Sequence, residues 1–195
     1  VKFKIQIVLL IVFQLIFSVA FSQKNVVSLF NGQNLNGWSI IDKPAKVKVK
    51  NRAINLRMTS GTARHAFVRT NNKYKNFIFE VDFKCDIGLN SGIMLRCVDA
   101  PDTSFSALYG YMVKVDPKVD RKWTGGLMID YGNGYEWPQT LENNEPARNA
   151  EKPGWNSLKV QAIGNHISVW LNEIPTINII SDKYKKGCFD FKIHF

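Results

Sequence analysis

The chain has 195 residues, of which 45% are hydrophobic, 22% charged and 12% aromatic, values that exclude a disordered chain and suffice for one domain with a buried core. Its net charge is +10, but the basic residues are scattered rather than gathered into a patch interleaved with stacking aromatics, so nucleic acid is not an expected partner.

Lys2 and Lys4 open the chain, and Ile5–Phe21 is apolar apart from Gln6, Gln14 and Ser18. Ala20 and Ser22 then place small residues before a cut preceding Gln23. This is the layout of a secretory signal peptide over residues 1–22, and it predicts a periplasmic or secreted mature chain. The apolar run is shorter than the about 20 clean residues of a membrane span, and nothing later is apolar enough to cross. No cysteine follows it to carry lipid.

Period-two alternation dominates after residue 26, and Val, Ile and aromatic residues suit strands better than helices. Strands are predicted over Lys46–Lys50, Ala53–Met58, Ala66–Thr70, Asn76–Cys85, Gly92–Val98, Tyr109–Asp116, Gly126–Tyr131, Ser157–Ile163, His166–Asn172, Thr176–Ile180 and Cys188–Phe195. Turn chemistry separates them at Asn51–Arg52, Asn71–Asn72, Asn90–Ser91–Gly92, Gly132–Asn133–Gly134 and Gly164–Asn165, the last at hairpin spacing. Residues 132–155, rich in Asn, Pro and Glu, read as one long loop. About eleven short strands in one domain must close on themselves. The fold class is therefore all-β, a two-sheet antiparallel jelly-roll sandwich over residues 23–195 with almost no helix. The pattern stops at Phe195 inside a strand, so the C-terminal strand is expected to be truncated.

Three cysteines allow at most one bridge. Cys85 continues the Phe79, Val81, Phe83 row and Cys97 the Ile93, Leu95 row, so both are expected as buried thiols, although they flank the Asp86–Gly92 loop closely enough to be joined. No C-x-x-C spacing points to a metal. Asp130–Glu136 offers oxygens to calcium or another divalent ion but lacks a calcium-loop pattern, so no cofactor is expected.

Alternation also sorts side chains by face. Ile167, Val169 and Leu171 take the core, leaving His166, Ser168, Trp170 and Asn172 opposite, where an indole suits stacking against a sugar ring. Glu80, Asp82 and Lys84 fall opposite Phe79, Val81 and Phe83; Arg96 falls opposite Ile93 and Leu95; Lys114 and Asp116 fall opposite Tyr111, Val113 and Val115. Asp130 lies opposite Leu127 and Ile129, and Asp190, Lys192 and His194 lie opposite Phe189, Phe191 and Ile193. Trp170, Arg96 and His194 are expected to line one concave surface.

Several stretches carry a resemblance: SLFNGQNLNGW (Ser28–Trp38), NSGIMLR (Asn90–Arg96), YGYMVKVD (Tyr109–Asp116), KWTGGLMID (Lys122–Asp130), GWNSLKVQAIGNHISVWLN (Gly154–Asn172) and FKIHF (Phe191–Phe195). In order and content they resemble the 3-keto-disaccharide hydrolase family. The resemblance implies a concanavalin-like jelly roll, export, a carbohydrate partner and hydrolysis of glycosides oxidised at C3. A ketone at C3 acidifies the C2 proton, so a base can remove it and expel the glycosidic oxygen, with water adding later. On that scheme His194 or Asp82 would be the base and Asp130 a second acid, while Arg96 and Lys114 would steady the enolate. Trp170 would hold the ring, with Asp116, Tyr111, Trp123 and Asn90 as further substrate contacts. Two other readings fit the same residues: a non-catalytic, lectin-like carbohydrate-binding module and a ligand-free structural surface domain.

Overall fold

A computed structural model of the chain describes residues 26–41, 45–58, 65–100, 108–131 and 134–194. The expected signal peptide, Phe195 and the Gly132–Asn133 turn lie outside the described residues. Among the described residues, thirteen strands follow one another: β1 (Trp38–Ile41), β2 (Ala45–Lys50), β3 (Ala53–Met58), β4 (His65–Thr70), β5 (Phe77–Phe83), β6 (Asn90–Asp99), β7 (Leu108–Val115), β8 (Leu127–Asp130), β9 (Tyr135–Gln139), β10 (Asn156–Ile163), β11 (His166–Leu171), β12 (Ile174–Ile180) and β13 (Cys188–His194). A single helical turn, α1 (Glu145–Arg148), lies between β9 and β10, its first turn capped by the Asn144 side chain, which accepts from the Ala147 N–H.

The strands form a seven-stranded sheet in the order β1-β4-β13-β6-β7-β8-β9 and a four-stranded sheet in the order β12-β11-β10-β5, with every pairing antiparallel. The hairpin β2–β3 stands apart as a two-stranded sheet and lies against β13 through β3. Its Lys46, Lys48 and Lys50 are exposed, as their alternation with Val47 and Val49 requires. The jelly-roll sandwich read from the sequence is the fold observed. Two strands escaped that reading. β1 is short and only its first residue is buried, so it shows no alternation. β9 lies within the expected loop and contains Pro138, which an edge strand tolerates because its outer N–H groups are not needed for pairing. Conversely, Asn90–Ser91–Gly92, expected as a turn, begins β6.

Inter-sheet burial follows strand parity. Phe79, Ile93, Leu95, Val113, Leu127, Ile129, Leu158, Val160 and Phe189 form the core, and Ile167, Val169 and Leu171 join them as expected. The turn at Gly164, with φ of 59°, closes the β10–β11 hairpin, while Asn172 and Glu173, both left-handed, close β11–β12. Asn172 explains the W-L-N motif: its amide donates to the Asn156 side chain at 2.7 Å and to the Ala150 carbonyl at 2.8 Å, and its carbonyl oxygen accepts from the Ser157 N–H at 2.9 Å. Asn156 in turn clasps Lys152 through both its backbone groups. These motif residues fasten the irregular segment before β10 to the sandwich.

A second apolar cluster, Phe67, Met94, Cys97, Leu108, Met112, Met128 and Cys188, covers the outer side of the seven-stranded sheet. Here the cysteine expectation fails. Cys97 and Cys188 are joined in a disulfide between neighbouring strands, with Cα atoms 5.0 Å apart, and Cys85 is the free thiol. Parity hid this because the pairing is non-local and β6 carries a bulge between Leu95 and Val98 that turns Cys97 to the outer face. Beside the bulge, Gly187 admits no side chain, since a Cβ there would meet the Arg96 carbonyl carbon at 2.2 Å.

Candidate functional site

The outer face of the seven-stranded sheet gathers the ionisable residues. Three antiparallel strands place Lys192, Gly92 and Lys114 in one row across β13, β6 and β7. Parity puts both lysines on the outer face, and the Met112 side chain lies over the intervening glycine, where a Cβ would meet its Cγ at 2.5 Å. Lys192 donates to the Asp130 carboxylate of β8 at 2.7 Å. With β6 and β7 between them, three strand intervals of about 4.8 Å separate the two backbones in a flat sheet. The contact closes because the sheet curls toward this face, which is therefore concave. Lys114 donates to the Asn90 side chain at the mouth of the same strand pair and stands 4.0 Å from Asp116.

Burial sets the electrostatics. Lys114, Lys192 and Asp130 are each less than a tenth exposed. Withdrawal from water lowers the Lys114 ammonium to about 8; Asp116 opposes the shift, while Arg121 and Lys192 add to it. Asp190, one alternation before Lys192, is wholly buried and its carboxyl is raised to about 8 by burial, with Arg69 and Lys192 pulling the other way. The Val68 backbone also draws it down, although neither oxygen sits in a well-formed hydrogen bond. Asp116 is held by Arg121 at 2.6 Å and receives its backbone order from Thr124, whose hydroxyl accepts from the Asp116 N–H at 2.9 Å. The Arg121 guanidinium stacks on Trp123, which packs against Trp137 at 5.4 Å between ring centroids. An ammonium lowered toward neutrality, that of Lys114, can exchange a proton with a substrate at ordinary pH.

The structure brings together Asn90, Lys114, Asp116 and Asp130 of the expected site, with Trp123 alongside. The His194 backbone lies on the same sheet, paired with Asn90 and His65. It does not bring Arg96, Trp170 or Asp82 to them. Arg96 sits in the β6 bulge with φ of 49°, which breaks the period-two alternation and turns its side chain off the outer face. Its guanidinium is 1% exposed, bonds the Lys75 and Tyr184 carbonyls at 2.9 and 3.2 Å and lies over Phe77. It fastens loops and faces no ligand space. Tyr111 is a core residue with no exposure, its hydroxyl donating to Ser181 at 2.8 Å, so it is not a substrate contact. Trp170 and Asp82 belong to the four-stranded sheet and open on the opposite side of the sandwich. The expected single surface of Trp170, Arg96 and His194 thus does not exist. Lys192 and Asp190, placed by parity on the polar side of their strand, were not singled out; only the pairing of β13 between β4 and β6 reveals them.

On that opposite side, Glu80, Lys159 and Trp170 stand in register across β5, β10 and β11. With Asp82, Ser157 and Glu173 they line an open depression of about 680 Å³. Trp170 is half-buried with its ring outward, and the Lys159 ammonium lies 5.7 Å from the ring centroid and 3.6 Å from Glu80.

Among the described residues, no group of three His, Cys, Asp or Glu gathers to hold a metal ion, and no helix is long and apolar enough to cross a membrane. The oxygens expected to serve a divalent ion over Asp130–Glu136 fall partly outside the described residues, and Asp130 is engaged by Lys192.

Comparison with known proteins agrees with this architecture. A family model described as a 3-keto-alpha-glucoside-1,2-lyase-like domain matches residues 25–190. No curated protein matches the sequence. Among solved structures, a candidate glycosyl hydrolase from Parabacteroides distasonis is similar with a TM-score of 0.64 at 15% identity, covering 87% of each chain. The carbohydrate-binding module CBM66 from Bacillus subtilis has a TM-score of 0.58 at 14% identity, over 81% of this chain and 88% of that one. A β-glucanase from Bacillus licheniformis has a TM-score of 0.50 at 12% identity, over 85% and 82%. At such identities these neighbours share the fold.

Proposed function

The chain belongs to the family of 3-keto-alpha-glucoside-1,2-lyase-like domains, and from that premise we propose that it cleaves glycosides oxidised at C3 by β-elimination on the concave face of the seven-stranded sheet. The observation that carries this reading is the Lys192–Gly92–Lys114 row, two amines set on either side of a glycine under the Met112 thioether, on a face that also holds Asp130. Lys114, held near 8, takes the C2 proton as a neutral amine. The electron pair moves onto the 3-keto oxygen, where the Lys192 ammonium meets the developing enolate charge. The pair then returns, C1=C2 forms, and the C1–O bond breaks. The Lys114 ammonium gives its proton to the departing glycosidic oxygen, which closes the proton balance. Addition of water across C1=C2 completes the net hydrolysis.

Asp130 aims Lys192 by accepting its hydrogen bond, and Asn90 does the same for Lys114. Asp82, Arg96 and Tyr111 have no part in this scheme, since each lies away from the row. We also infer that the protein works outside the cytoplasm, as the signal-like start of the sequence suggests; the Cys97–Cys188 bridge supports this, because disulfides persist in oxidising compartments.

The test is incubation with a chromogenic 3-keto-glucoside in deuterated water. Aglycone release, with deuterium gained at C2 of recovered substrate, is expected from the wild type and not from Lys114→Met. Tight binding of the ketone with no release at any enzyme concentration would assign the face to a binding module.

A further inference from the structure

We propose that the four-stranded sheet carries a second carbohydrate-binding surface, separate from the reactive face, which holds a neutral glucan chain that is not oxidised. The Trp170 ring is the platform. It stands half-buried in the row Glu80–Lys159–Trp170 and lines the depression of about 680 Å³, with the Lys159 ammonium over one side of the ring. Asp82, Ser157 and Glu173 line the same depression with exposed acceptors and a hydroxyl. A pyranose offers the complementary pattern, an apolar face of axial C–H groups to lie on the indole and equatorial hydroxyls to meet the rim.

Charge selects among occupants. Three carboxylates, Glu80, Asp82 and Glu173, face one ammonium, Lys159, so the surface repels uronate, phosphate and nucleic-acid chains. Lys159 is already engaged with both Glu80 and the ring, which leaves the Asp82 and Glu173 carboxylates free to accept from ligand hydroxyls. The two sheets of a sandwich pack about 10 Å apart with side chains filling the space between. A glucan on Trp170 therefore touches none of Lys114, Lys192 or Asp130. It would instead keep the protein on a polymer surface and raise the local concentration of chain ends. This inference does not depend on the elimination chemistry, because its ligand carries no ketone.

The test is calorimetric titration of the full chain with cellohexaose and laminarihexaose, with polygalacturonate as the anionic contrast. Wild type should bind at least one neutral hexaose and not polygalacturonate. Trp170→Ala should weaken that binding at least about tenfold, a loss of about 1.4 kcal/mol, and Trp170→Phe should retain most of it. Lys114→Met should bind as wild type does. No binding to either hexaose, equal binding by Trp170→Ala, or loss of binding in Lys114→Met would overturn the proposal. So would a wild-type dimer that Trp170→Ala makes monomeric, since the face would then belong to a second copy.

Discussion

Lys192 reaches across β6 and β7 to donate to Asp130 at 2.7 Å, a contact between strands that are not neighbours. It records the curl of the sheet and places one ammonium and one carboxylate at the centre of a buried face. Breaking it from one side withdraws this counter-charge from a carboxylate that has little access to water. Lys192→Met should therefore cost about 3–5 kcal/mol in chemical denaturation. Replacing both partners, Lys192→Met with Asp130→Leu, should recover most of that loss; a double variant as weak as the sum of the singles would show the two to be uncoupled.

Lys114 sets the pH dependence of the proposed reaction. Burial lowers its ammonium to about 8, and only the neutral amine can take a proton. kcat/KM should rise with pH and level off above about 8, lying about 100-fold below the plateau at pH 6. Lys114→Met should lower turnover by about 10²–10⁴ and remove this limb. A rate that falls through the same range would exclude Lys114 as the base.

Much of the reactive face was legible and its completion was not. Parity alone put Lys114, Asp116, Asp130 and Lys192 on the polar sides of their strands, and each is there. What parity lacks is the identity of the neighbouring strand. Asp82 and Trp170 alternate just as Asp130 does, yet β5 and β11 join the other sheet. Arg96 fails for a different reason, since one inserted residue with a left-handed backbone reverses which side chain faces out, and nothing in L-R-C announces a bulge. Outward also did not mean wet: Lys114, Lys192 and Asp130 point away from the inter-sheet core and are still each less than a tenth exposed.

Asp190 should make stability fall as pH rises. Its carboxyl is raised to about 8 in the folded protein, whereas an unfolded aspartate titrates near 3.9. Between these values folding takes up a proton, so this group's penalty is absent below about pH 4, grows by up to about 1.4 kcal/mol per pH unit and is complete above about pH 8. Melting temperatures of wild type and Asp190→Asn should converge at low pH and diverge toward pH 8, with the asparagine variant higher. Parallel curves would show that the carboxyl is ionised in the fold.

The disulfide closes a loop spanning 91 residues and ties β6 to β13. Reduction, or Cys97→Ala with Cys188→Ala, should cost about 2–5 kcal/mol, read as a lower melting temperature in dithiothreitol. Cys85→Ala should leave the response to reductant unchanged. Alkylation of all three cysteines in the native, unreduced protein would contradict the bridge.

β13, which follows every other described strand in the chain, occupies neither edge of the large sheet but its interior, between β4 and β6. A nascent chain that has emerged only as far as residue 187 therefore holds two open borders, one on each side of a missing strand, and cannot zip the sheet from one end. Closure of the sheet must wait for β13, which makes the order of synthesis a poor guide to the order of folding. Until then the backbones of β4 and β6 are exposed to any passing strand. A chaperone that delays collapse, or a translocation channel that delivers the chain unfolded, would guard that interval.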